Sequence, residues 1–233
     1  MEAPTRRLVG WRPAGMLDWP GRVTTTIFLG GCDFRCPFCH NGQLVTEPAE
    51  CADWNALAAH LIEKRDWLDG VVITGGEPTT DPALRTVLEA LSELDMPVKL
   101  DTNGNHPEIV AELIAEGLVA FVALDIKSLR DRYDAVSGVE GSGERVTRTI
   151  ESLIGSGIAH EFRTTAYPGA VALDDFAKIA QTLRGGDRYA IQQFQPDNAM
   201  DPRAVSVLPY HADELAEAVI ECRKYLPTAL RGA

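Results

Sequence analysis

The chain has 233 residues, 45 % of them hydrophobic and 24 % charged, the proportions of an ordinary globular fold long enough for one sizeable core. Its net charge of -12 opposes the phosphates of nucleic acid, so no nucleic-acid partner is expected. No apolar run is long enough to span a bilayer and the N-terminal residues lack the order of a signal peptide, so a cytoplasmic location without membrane contact is expected.

The stretch Met16-Leu17-Asp18-Trp19-Pro20-Gly21-Arg22 closes an N-terminal extension, residues 1–22. A first strand is predicted over Val23–Leu29, and directly after it comes Gly30-Gly31-Cys32-Asp33-Phe34-Arg35-Cys36-Pro37-Phe38-Cys39-His40-Asn41. Five cysteines in a chain without an export signal argue against a disulfide framework and for metal or redox chemistry. Thiolates at Cys32, Cys36 and Cys39 are the soft ligands of iron–sulfur clusters, and three of them leave one iron of a [4Fe–4S] cluster open. The alternative is zinc on the same cysteines with His40, although adjacent residues rarely both face one tetrahedral ion. Cys51 and Cys222 stand apart and are expected to pack as small hydrophobes.

The second strand, Val71–Thr74, runs into Gly75-Gly76-Glu77-Pro78, where two glycines would admit a ligand close to the backbone and Glu77 could accept a bond from an ammonium group. A plain turn is the alternative. Over Pro82–Leu94, Leu84, Val87, Leu88, Leu91 and Leu94 fall on one helical stripe, with Asp81 as N-cap and Pro82 in the first turn. Strand three, Val98–Thr102, ends Asp101-Thr102-Asn103-Gly104, and strand four, Phe121–Lys127, ends Asp125-Ile126-Lys127. These charges are either site residues or an exposed salt bridge. Arg163 in strand five, Glu161–Ala166, offers a fork of donors to a ribose, carboxylate or peptide carbonyl. Strand six, Tyr189–Gln195, carries Gln192, Gln193 and Gln195, which are adenine or ribose contacts or merely half-exposed polar groups. His60, His106, His160 and His211 have solvated or capping positions, and a last helix near Ala212–Tyr225 puts Leu215, Val219, Cys222 and Leu226 on one face.

Strands alternating with helical segments define an α/β protein. Six units give an incomplete (β/α)6 TIM-like barrel of parallel strands in a single domain over residues 1–233: the extension, a core of residues 23–200 and a C-terminal helix at 210–226. Its chemistry is expected at the C-terminal strand ends, where the residues above collect.

The spacing of Cys32, Cys36 and Cys39, with Phe38 before the third, resembles the signature of the radical S-adenosylmethionine superfamily. The resemblance implies that the open iron chelates S-adenosylmethionine, that the reduced cluster cleaves it to methionine and a 5′-deoxyadenosyl radical, and that Phe38 lies near the adenine. Gly75-Gly76-Glu77-Pro78 resembles the motif that binds the methionine amino group. Asp101-Thr102-Asn103-Gly104 and Asp125-Ile126-Lys127 resemble motifs of glycyl-radical-enzyme activating enzymes, implying that Asp101, Asn103 and Asp125 organise the methionine end, with room for a monovalent cation, and that Lys127 approaches the cofactor carboxylate.

Met16–Arg22, taken with the stretch through Cys39-His40-Asn41, is similar to activating proteins of anaerobic ribonucleoside-triphosphate reductase. The partner implied is a glycyl radical enzyme, with a flavodoxin- or ferredoxin-type electron donor, and Asp18 and Arg163 become candidates to hold the partner's glycine loop. Trp19 stands where such proteins often carry tyrosine or glycine. The competing functions are a radical enzyme acting on a small molecule, such as a deazapurine-forming synthase, and a non-catalytic iron–sulfur protein.

Overall fold

The structure, a computed structural model, describes residues 4–46 and 50–232. The strands form one sheet in chain order, β1 to β8, in an α/β fold. The six predicted strands are all present. Two flanking strands were not anticipated: an antiparallel β1 within the N-terminal extension and a short parallel β8 after the last helix. Neither has a clean apolar period, because their sequences, Leu8–Gly15 and Thr228–Arg231, mix buried and exposed side chains irregularly.

The chain divides into two compact units. Unit 1 comprises residues 1–33, 43–102 and 108–122. It holds β1 (Leu8–Gly15), β2 (Thr24–Leu29), α1 (Trp54–Lys64), β3 (Gly70–Gly75), α2 (Leu84–Ser92), β4 (Val98–Thr102), most of α3 (Pro107–Ala115) and the start of β5 (Phe121–Asp125). β1 is antiparallel to β2, whereas β2–β3 and β3–β4 are parallel.

Side chains alternate between the two faces of a strand, so register tells which residues share a face. Thr25 and Ile27 of β2 align with Val71 and Ile73 of β3, and with Val98 and Leu100 of β4. His60 of α1 lies 3.1 Å from the Thr25 hydroxyl, so this is the face that α1 covers. Leu57, Leu61, Val87, Leu88 and Leu91 complete its fully buried core, each such side chain contributing about 1.5–3 kcal/mol. The opposite face carries Thr26, Phe28, Val72, Thr74, Lys99 and Asp101.

The helix α2 begins at Leu84, two residues later than expected, while Asp81 still caps the turn ahead of it: its Oδ1 accepts the Ala83 amide at 2.9 Å and its carbonyl the Leu84 amide at 3.0 Å, with Pro82 inside that turn. Its Oδ2 accepts the Thr5 hydroxyl, and Asp81 also closes a 3-10 turn over Pro78–Thr80.

Unit 2 comprises residues 34–42, 103–107 and 123–233. It holds the end of β5, α4 (Tyr133–Ser137), α5 (Ser142–Ser156), β6 (His160–Ala166), α6 (Leu173–Thr182), β7 (Tyr189–Gln193), α7 (Pro202–Val205), α8 (Ala212–Cys222) and β8 (Thr228–Arg231). β6, β7 and β8 are parallel, and register places Arg163 beside Ala190, and Thr165 beside Gln192 and Arg231, on one face. On α8, Leu215, Val219 and Cys222 are buried as the periodicity predicted. His160 departs from expectation: it is buried, its Nδ1 2.8 Å from the Ile158 carbonyl oxygen.

Candidate functional site

Cys32 lies three residues beyond β2 in unit 1, at the C-terminal strand end where parallel α/β folds place their chemistry. Its loop is held by backbone. The Gly31 amide donates to the Leu44 carbonyl at 2.8 Å and the Cys32 amide to that of Val45 at 2.9 Å. The Gly75-Gly76-Glu77 turn brackets it from β3: the Gly76 amide donates to the Leu29 carbonyl at 2.8 Å and the Glu77 amide to that of Gly31 at 2.7 Å. A Cβ on Gly75 would meet the Leu29 oxygen at 2.1 Å, and one on Gly76 the Gly31 oxygen at 2.1 Å. These glycines therefore serve a close approach of chain to chain.

Glu77 is buried, and its Oε1 accepts from the Thr79 amide at 3.0 Å, the Thr79 hydroxyl at 2.6 Å and the Thr102 hydroxyl at 2.8 Å. That carboxylate fixes the turn that brackets the cysteine loop, whatever else it binds. On the opposite face of the sheet, Asp18 Oδ2 accepts from the Thr26 hydroxyl at 2.6 Å and from Arg12 at 2.7 Å. Asp18 thus shares a face with Lys99 and Asp101, which are bonded to each other. A partner loop seeking Asp18 has to compete with these two donors.

Cys36 and Cys39 belong to unit 2, joined in a tight turn by the Cys39 amide donating to the Cys36 carbonyl at 3.1 Å. A second strap comes from residues 200–201, whose amides donate to the carbonyls of Cys39 and Pro37, both at 2.9 Å. Phe38 is buried and stacked on Tyr167 at 5.1 Å between ring centroids, Tyr167 meets Phe194 at 4.9 Å, and His40 stacks on Phe194 at 6.0 Å. The loop is consequently anchored by an aromatic chain to the ends of β6 and β7.

Beside these cysteines sits a charged triad. Arg163 Nε donates to Asp125 Oδ1 at 2.8 Å and Lys127 Nζ lies 3.2 Å from Asp125 Oδ2. Burial alone would raise the Asp125 carboxyl, but the charges of Arg163 and Lys127 outweigh it and hold the group well below the usual carboxylate range. Burial pushes the Cys36 thiol up to about 11, with the Lys127 ammonium opposing the rise. Burial likewise works against the Lys127 ammonium, yet Asp125, Cys36 and Cys39 raise its affinity for the proton above the usual lysine range. Tyr133 ties the triad to α4, its hydroxyl donating to the Asp125 carbonyl at 3.2 Å and accepting the Lys127 amide at 3.1 Å.

Asn103 is buried and its side-chain oxygen accepts the Asn105 amide at 2.8 Å, shaping the turn after β4. Gln192 is half-buried on the Arg163 face. Gln195 lies beyond β7, exposed, its amide 3.4 Å from the Gly232 carbonyl. Of the cysteines outside the loop, Cys222 is buried as expected, whereas Cys51 is exposed, its sulfur 2.7 Å from the Arg6 carbonyl. Sequence reasoning missed Tyr167 and Tyr133, which show no periodic signal. It also missed Lys99, although a lysine two residues before Asp101 in a strand of apolar neighbours was a visible cue.

A mainly parallel α/β sheet whose first parallel strand is followed by cysteines at C-x-x-x-C-x-x-C spacing is the setting of an iron–sulfur enzyme. Residues 26–183 match the radical SAM superfamily, and the chain belongs to it. A Methanocaldococcus jannaschii protein named as a glycyl-radical enzyme activating enzyme is 34 % identical over 217 residues, covering 90 % of this chain and 89 % of its own length. The pyruvate formate-lyase-activating enzyme of Clostridium pasteurianum is 26 % identical over 221 residues, 84 % of this chain and 79 % of that one. The crystal structure of Streptococcus suis SuiB bound to S-adenosylmethionine shares the fold, with a TM-score of 0.67 at 17 % identity over 87 % of this chain; the chain spans 48 % of SuiB's length. The cofactors of the family are a [4Fe–4S] cluster and S-adenosylmethionine.

Proposed function

We propose that this radical S-adenosylmethionine enzyme is a glycyl-radical-enzyme activating enzyme whose partner is an anaerobic ribonucleoside-triphosphate reductase. The observation that carries the reading is the similarity, over 90 % of the chain, to the M. jannaschii protein of that name. The reductase is favoured by the resemblance of Met16–Arg22 and of the stretch through Asn41 to its activating proteins.

The cysteine thiolates fit the cluster chemically: three soft donors on an anchored loop, two of them beside the Lys127 ammonium, which lowers the cost of buried negative charge. Cys32, Cys36 and Cys39 are assigned as ligands. When bound, the cluster and S-adenosylmethionine supply one-electron reductive cleavage, with a flavodoxin- or ferredoxin-type protein as electron donor. That chemistry would serve hydrogen-atom abstraction from a glycine Cα of the partner.

This chain's own groups bind and orient. Gly75, Gly76 and Glu77 are assigned to the methionine amino group, Asp101, Asn103 and Asp125 to the methionine end, and Lys127 to its carboxylate. Phe38 in its aromatic stack and the glutamines 192 and 195 are assigned to the adenosine side. Asp18 and Arg163 are assigned to the partner loop, and glycine suits that loop because it lacks a side chain. Residues 1–233 are assigned to one domain working in the cytoplasm, and a family match that runs through both compact units supports the single domain. Among the described residues no helix is long and apolar enough to cross a membrane.

The test is anaerobic electron paramagnetic resonance on reconstituted, reduced protein mixed with S-adenosylmethionine and the reductase from the same cell. A glycyl signal requiring every component is expected. Release of 5′-deoxyadenosine without that signal would reject the reductase and favour a small-molecule substrate, and no cleavage by verified [4Fe–4S] protein would overturn the activase reading.

A further inference from the structure

Lys99, the second residue of β4, is fully buried, and its ammonium is bonded to the carboxylate of Asp101, two residues further on. Register fixes where the pair lies. Thr26 aligns with Val72 and Val72 with Lys99, so the three form one row on the polar face of the sheet, and Asp101 is the next residue on that face toward the C-terminal strand end. Asp18 and Arg12 reach the same row at Thr26.

Stability alone does not call for an ion pair there: Val72, beside Lys99 on the same face, is buried and apolar, and a buried pair replaced as a whole by apolar residues of similar volume commonly loses no stability. A buried ammonium also carries a desolvation cost, which the adjacent anion offsets. Its bond to Asp101 is therefore to be weighed for function as well as for stability. That carboxylate is 12 % exposed and ends the strand that enters the Asp-Thr-Asn-Gly turn.

We propose that Lys99 is a positioning residue, a tethered cation that fixes the Asp101 carboxylate so that S-adenosylmethionine binds without an alkali-metal ion drawn from solution. The inference rests on the reading that Asp101 borders the methionine end. Folding delivers the Lys99 ammonium to Asp101 at a high effective concentration, whereas a dissolved sodium or potassium ion has first to be captured and dehydrated. The ammonium is also directional, with three donors to share between Asp101 and its surroundings, which orients the carboxylate as well as neutralising it. The expected monovalent cation is thus replaced by a residue of the chain.

The test measures S-adenosylmethionine affinity by anaerobic equilibrium dialysis on [4Fe–4S]-loaded protein in choline chloride, then in potassium or sodium chloride at equal ionic strength. The electron paramagnetic resonance spectrum of the reduced cluster with S-adenosylmethionine is recorded in parallel. Wild type is expected to bind equally in all three salts and to give one spectrum. Lys99→Met is expected to bind on the order of tenfold more weakly in choline, the loss of a hydrogen bond to a charged group, and to recover affinity and spectrum in potassium. Lys99→Met with Asp101→Asn should show no potassium response. Wild-type affinity that rises with potassium would overturn the assignment even if the variant fails to fold, as would Lys99→Met that binds like wild type in choline. Wild type that binds no S-adenosylmethionine in any salt would overturn the reading of the site and the assignment with it.

Discussion

A methyl group at Gly76 would land 2.1 Å from the Gly31 oxygen and 2.7 Å from the Leu44 oxygen, and no side chain is available to move aside, since both are backbone. Gly76→Ala is therefore expected to cost about 1–3 kcal/mol by overpacking and to displace the loop that carries Cys32. Thermal unfolding and iron content after reconstitution check this, with both expected to fall. A variant with normal melting and full iron would show that the bracket is not needed. The thiols make a second contrast. Cys222 is buried, and burial pushes it up to about 12, whereas Cys51 is exposed. In native protein at pH 8, iodoacetamide should label Cys51 and spare Cys222, as mass spectrometry of the peptides would report. The cysteine array was legible in the sequence because spacing is a one-dimensional property. The bonds from Arg163 to Asp125 and from Thr102 to Glu77 were not, because each is set by a chain crossing that period and composition do not encode.

At the scale of elements, the short β8 illustrates how a weak segment is held. Arg231 reaches from β8 to Glu161 on β6, with Nη1 donating to Oε1 at 2.9 Å, and Glu161 is only 2 % exposed. Arg231→Ala would leave that carboxylate buried without its counter-charge, and a loss of about 3 kcal/mol is expected in urea unfolding. Near-neutral behaviour would mean that β8 swings away and admits water. The N-terminus of α6 depends on Asp175, which accepts the Ala172 amide at 3.0 Å and pairs with Arg132 and Lys178. Burial raises its carboxyl, but the bonds from Arg132, Lys178 and the Ala172 amide prevail and hold it below the ordinary value. A carboxyl depressed in the folded state adds stability that is complete above the unfolded value of about 3.9 and disappears as the pH falls through the folded one. Asp175→Asn should accordingly flatten the acid limb of the stability curve below about pH 4, and an unchanged slope would remove Asp175 as a contributor. The β-rich runs identified six strands, and the 3.6-residue period the helices α2 and α8. The irregular burial of β1 and β8 hid both, since their pairing and not their pattern makes them strands.

For the whole molecule, ligand binding and stability are linked. S-adenosylmethionine at one hundred times its dissociation constant is expected to add about 2.7 kcal/mol to the unfolding free energy of cluster-loaded protein. With Cys36 assigned as a cluster ligand, the Cys36→Ala variant should gain almost nothing, and calorimetry under anaerobic conditions compares the two. Equal gains would show that the ligand binds independently of the cluster.

The amino-acid sequence by itself determined the fold class, the position of the cysteine loop after the first parallel strand, and the membership that follows from them, because apolar period and motif spacing are local and survive without coordinates. Only the tertiary structure decided that Gly75 and Gly76 face backbone, that Asp18 joins Arg12 and Thr26, and that Lys99 is the buried companion of Asp101. The first two depend on strand register and on the path of the loops, and the burial of Lys99 on what packs over its face; register is settled by how faces pack together, which is a property of the folded chain.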